Sequence, residues 1–100
     1  MSGFELAQSE AQFQAAVVEY AKLCGWRVQF HWKSFHSPAG FPDLCMVRGE
    51  RVVFAELKTA KGRVSDAQEV WLCTLRATGK VEAYLWRPQS WPEIERVLSQ

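Results

Sequence analysis

The sequence predicts an α/β domain in which a mixed sheet of about four strands is flanked by helices, in the order α-β-β-β-α-β-α. The first observation behind this is helical spacing of apolar residues over 8–24. The second is a set of aromatic and β-branched runs between Trp26 and Lys58, the last two divided by a glycine turn. The third is a helix-strand-helix pattern over 65–98, each helix opened by a serine followed three positions later by Gln or Glu.

In the first helix Phe13, Val17, Tyr20 and Cys24 recur at three- and four-residue steps, with Ala16, Ala21 and Leu23 beside them. Ser9 and Gln12 form a capping box at its start, and Gly25 is the expected residue after its end. Glu10 lies three positions before Phe13, so it sits at the N-terminal end of the apolar stripe. Residues 26–32 read as a strand. Pro38, Gly40 and Pro42 make the next stretch a loop. Leu44 to Val47 and Arg51 to Lys58 read as a hairpin turning at Gly49. The second of these strands is apolar on both faces, as a central strand should be. Ser65 to Gln68 opens a helix with Trp71, Leu72 and Leu75 on its apolar side, ended by Gly79. Val81 to Trp86 is the last strand, and Ser90 to Glu93 opens a short final helix docked by Ile94, Val97 and Leu98.

A chain of 100 residues is expected to form one domain, 1–100, and its 48% hydrophobic content excludes a disordered chain. No apolar run reaches the ~20 residues of a membrane-spanning helix, and the first residues lack a signal-peptide layout, so the chain reads as cytosolic. Cys24, Cys45 and Cys73 are widely spaced and odd in number, which points to reduced core cysteines. With 12 basic and 11 acidic residues there is no global pull toward nucleic acid. A local patch remains open: Lys61 and Arg63 follow Lys58 directly.

The chemistry concentrates on Asp43, Glu56 and Lys58. Side chains alternate along a strand, so Glu56 and Lys58 share a face about 6.5–7 Å apart. The hairpin turn returns the end of the second strand to the start of the first, where Asp43 lies. A carboxylate in a buried strand is costly unless paired. Two carboxylates and the Leu57 carbonyl offer the oxygen ligands that Mg²⁺ or Mn²⁺ prefer. Such an ion acidifies water and stabilises charge developing on a phosphate. Lys58 would polarise the attacking water or stabilise the transition state.

The pattern Gly40-Phe41-Pro42-Asp43, then Glu56-Leu57-Lys58, then Ser65-Asp66-Ala67-Gln68 resembles the PD-(D/E)xK nuclease superfamily, and within it the VRR-NUC group. Glu10-Ala11-Gln12 and Gly79 extend the resemblance over nearly the whole chain, as in small stand-alone phage and bacterial members. The resemblance implies a restriction-endonuclease-like core and a Mg²⁺- or Mn²⁺-dependent DNA endonuclease. It implies metal binding by Asp43 and Glu56, with Glu10 supporting directly or through water, and catalysis by Lys58. It gives Gln68 a role in orienting the site, in competition with its place in the capping box, on the expectation that the side chain serves one partner at a time. Residues 29–39 match least well. Lys33 and His36 there are candidate phosphate contacts or ordinary surface residues, as are Lys61 and Arg63 further on. Small members resemble Holliday junction resolvases and form homodimers, which makes branched DNA the expected partner and Trp86 and Trp91 candidate interface residues. The alternative is a non-catalytic nucleic-acid-binding or assembly module that keeps the fold.

Overall fold

The structure is a computed structural model and describes residues 8–30 and 39–100. Helix α1 spans Glu10–Leu23. Strands β1 (Arg27–Phe30), β2 (Leu44–Arg48) and β3 (Arg51–Leu57) follow. Helix α2 spans Asp66–Ala77, β4 Glu82–Trp86, and a 3₁₀ turn at Pro88–Ser90 leads into α3, Trp91–Ser99. The four strands form one sheet in the order β1-β2-β3-β4. β1, β2 and β3 are antiparallel neighbours, and β4 runs parallel to β3. The expected mixed sheet and element order are therefore present.

α1 begins where expected. Ser9 accepts from the Gln12 amide, and the Gln12 side chain takes the Ser9 N–H in return. Its buried residues are Phe13, Val17, Val18 and Ala21, while Tyr20 and Cys24 are only partly covered. One sheet face contributes Leu44, Met46, Val53, Ala55, Leu57 and Trp86 to a buried cluster with Phe13 and Val17 of α1 and Ile94, Val97 and Leu98 of α3. The opposite face carries Phe54. Phe41 packs edge-on against both Phe54 and Trp71, which joins the loop before β2 to α2. The central strand is thus covered from both sides, as its composition predicts.

Some expectations are corrected. Trp86 is fully buried and gives its indole N–H to Glu93 at 3.0 Å, while Trp91 is half-buried against Tyr20. They pack the final helix, so Trp86 offers no surface to a second chain. The capping box expected at Ser90 and Glu93 does not form. Ser90 Oγ turns back to accept from Arg87 N–H, closing the 3₁₀ turn, and Glu93 is engaged by Trp86. The three cysteines are free, but Cys73 is exposed on α2 and is no core residue.

Candidate active site

The register of the hairpin sets the geometry. Leu44 pairs with Ala55 at the end of the β2–β3 ladder, and Asp43 directly precedes it. Asp43 Oδ2 accepts from the Leu57 N–H at 2.8 Å and so closes the ladder beyond the last strand pair. A strand residue directs its N–H and C=O toward the same neighbour, so the Leu57 carbonyl faces the Asp43 side. The next residue, Lys58, gives its N–H to the Trp86 carbonyl on the β4 side at 3.0 Å.

Glu56 is only 2% exposed, the one buried charged residue among those described. Its Oε2 accepts from Gln68 Nε2 at 3.0 Å, while Oε1 is buried and meets no N–H or hydroxyl donor among the described residues. Burial first, and then the nearby Asp43 carboxyl, push its pKa up to about 8. Glu10 adds to the rise, and Lys58 opposes it. The Glu56 and Asp43 carboxyls lie close enough to share a proton when no cation separates them.

Gln68 serves two partners at once, which corrects the expectation of one at a time. Its Oε1 accepts from Ser65 N–H at 2.9 Å, and its Nε2 reaches Glu56. The Ser65 donor fixes which end of the amide faces which way. The helix cap therefore orients the amide that holds Glu56. Gly40 explains how α2 comes so near. Its φ is +87°, and a Cβ there would stand 2.4 Å from the Ala67 carbonyl carbon and 2.7 Å from the Gln68 nitrogen. Only glycine lets the loop carrying Asp43 press directly on the first turn of α2. Pro42, fully buried, and the Phe41 ring complete that seat.

Among the described residues, no three Asp, Glu, His or Cys side chains gather into a metal-holding cluster. Glu10 lines the same groove beside α1 as Asp43, and its charge reaches Glu56. What is assembled is a pair of carboxylates, each giving one oxygen to a protein donor, with the Leu57 peptide beside them. An all-oxygen set with a buried carboxylate oxygen that no donor among the described residues satisfies fits a hard divalent cation.

Lys61 and Arg63 are exposed in the loop after Lys58. Lys33 and His36 lie outside the described residues. Arg87 gives no local signal in the sequence, yet it reaches this loop from the end of β4. Its Nη1 donates to the Thr59 and Gly62 carbonyls, both at 2.8 Å.

No helix among the described residues is long and apolar enough to cross a membrane. Neither the curated proteins nor the solved structures include a match to this chain. The family description "VRR-NUC domain", however, matches residues 7–86. That segment takes in Glu10, Asp43, Glu56, Lys58 and Gln68, and the chain belongs to the VRR-NUC family of nuclease-type domains.

Proposed function

We propose that the protein is a Mg²⁺- or Mn²⁺-dependent endonuclease that hydrolyses DNA phosphodiester bonds, selects branched substrates such as four-way junctions, and acts as a symmetric homodimer. The observation that carries this reading is the Asp43–Glu56 pair. Two carboxylates meet at a strand end, one of them buried with an oxygen that no donor among the described residues satisfies, and the Lys58 charge acts on the same group. Left alone, such a pair keeps a proton. A divalent cation would replace that proton and turn a costly arrangement into a useful one.

Asp43, Glu56 and the Leu57 carbonyl would hold the ion, with Glu10 near enough to act through water. When bound, the ion would neutralise charge on the phosphate and make the attacking water more acidic. The protein groups do the rest. The Leu57 N–H fixes Asp43, and Gln68 fixes Glu56, so neither carboxylate must reorganise as the substrate arrives. Lys58 places its ammonium on the Glu56 side of the site, where it orients the water or meets the charge that builds on phosphorus. Water attacks, the P–O3′ bond breaks, and the products are a 5′-phosphate and a 3′-hydroxyl. Lys61 and Arg63 contact flanking phosphates. One site per chain makes a single cut, and a two-fold dimer would supply the paired cuts that resolve a junction.

The test is cleavage of a labelled synthetic four-way junction beside a matched duplex, with Mn²⁺, Mg²⁺ or chelator. Metal-dependent cutting that Lys58→Ala reduces at least about 100-fold is the expected result. Binding of the junction with no cutting of junction, flap or single-stranded DNA would replace the enzyme reading with the binding module.

A further inference from the structure

We infer that Arg87 is a positioning residue for Lys58 and for the phosphate-facing loop after it, an inference that rests on the nuclease reading of the site. Arg87 lies one residue beyond the family-matched segment. Residues 59–62 form a tight turn, with the Gly62 N–H on the Thr59 carbonyl at 3.2 Å. Surface turns usually leave their carbonyls to water. Here three of them are taken by side chains that follow β4: Arg87 Nη1 binds the Thr59 and Gly62 carbonyls, and Gln89 Nε2 binds that of Ala60 at 3.1 Å.

The clamp is itself anchored. The residue before Arg87 accepts the Lys58 N–H, and Arg87 N–H is held by Ser90 Oγ at 3.0 Å beside the buried Pro88. One guanidinium therefore ties both ends of the turn to the strand that neighbours Lys58. The turn also passes near the lysine stem: a Cβ added at Gly62 would come to 3.5 Å from Lys58 Cδ. Loss of the clamp frees the turn that follows Lys58 and passes near its stem, and loosens Lys61 and Arg63 together. Asp43 and Glu56 are fixed by other bonds, to Leu57 and Gln68, and are untouched.

The experiment compares wild type, Arg87→Gln, Arg87→Lys and Gln89→Ala. It reads amide hydrogen exchange over residues 59–63, affinity for Mn²⁺ alone, and single-turnover junction cleavage. Arg87→Gln is expected to speed loop exchange at least about tenfold and to slow cleavage about tenfold, with Mn²⁺ affinity within about twofold of wild type. Arg87→Lys recovers part of both, and Gln89→Ala moves both in the same direction by less. A general structural defect would weaken Mn²⁺ binding in step with cleavage, and that result overturns the inference. So does unchanged loop exchange in Arg87→Gln or, should that variant not fold, in Gln89→Ala. A wild type that cuts no DNA overturns the nuclease reading and the positioning role of Arg87 together, and is told apart because it needs no variant to be seen.

Discussion

Glu56 holds its proton to about pH 8 because burial and the neighbouring Asp43 both disfavour a second negative charge. The raised value has a direct consequence for stability. Below about pH 4.5 the folded and unfolded chains both carry the proton, and Glu56 contributes its full share. As pH rises, the unfolded chain releases the proton first, so folded stability falls until the folded group also ionises near pH 8. Metal-free protein should therefore lose on the order of 2–4 kcal/mol between pH 5 and pH 8 that Glu56→Gln does not lose. Thermal melts of the two proteins across that range check it, and Mn²⁺ at pH 8 should restore the wild type but not the variant. A second residue-scale prediction separates the duties of Gln68. Gln68→Glu keeps an acceptor for the Ser65 N–H, and so keeps the cap, but sets a third carboxylate against Glu56. It should melt within a few degrees of wild type near pH 5 while Mn²⁺ affinity changes and cleavage falls about tenfold or more, as measured by titration and single-turnover assay. A cleavage rate equal to wild type would remove Gln68 from the site.

The elements meet at Gly40, where the lead-in to β2 presses on the first turn of α2. Gly40→Ala must open that contact, because the added carbon would lie within 2.4–2.7 Å of backbone atoms that cannot step aside singly. The expected cost is about 2–4 kcal/mol, and Mn²⁺ affinity should fall with it, since Asp43 and Gln68 move apart. Gly79→Ala is the control: φ there is +67°, but a Cβ meets nothing within 4 Å. It should cost only about 1 kcal/mol and leave the metal site unchanged. Denaturant melts with metal titrations distinguish the two. The same contrast shows what was legible in the sequence. The hairpin, the buried run ending in Glu56 and Lys58, and the boxes at Ser9 and Ser65 are local patterns, and local hydrogen bonds decide them. The partners of Ser90, Glu93 and Trp86 are chosen by the packing of α3 against the end of β4, which no three-residue spacing reveals. The same holds for Arg87, whose partners lie 25 and 28 residues away, and for Cys73, whose exposure depends on which face of α2 meets the sheet.

At the scale of the whole molecule, 12 basic residues against 11 acidic ones leave no general field to gather DNA. Affinity must come from few phosphate contacts near the site, and salt dependence counts them. Each neutralised duplex phosphate adds about 0.9 to the slope of log K against log salt. Lys61 and Arg63 are exposed on the turn that follows Lys58, whereas Arg51, Arg48 and Arg87 are already committed to Glu82 or to backbone carbonyls. A shallow slope for wild type, about −3 to −4, is the expected value, and Lys61→Ala with Arg63→Ala should reduce it by about 2. Mn²⁺ affinity in the double variant should match wild type, because neither side chain touches Asp43 or Glu56. Junction binding measured from about 50 to 200 mM salt, with metal replaced by Ca²⁺ to suppress cutting, provides the slopes. A double variant with the wild-type slope would move the DNA track away from this turn and toward other basic residues of the chain.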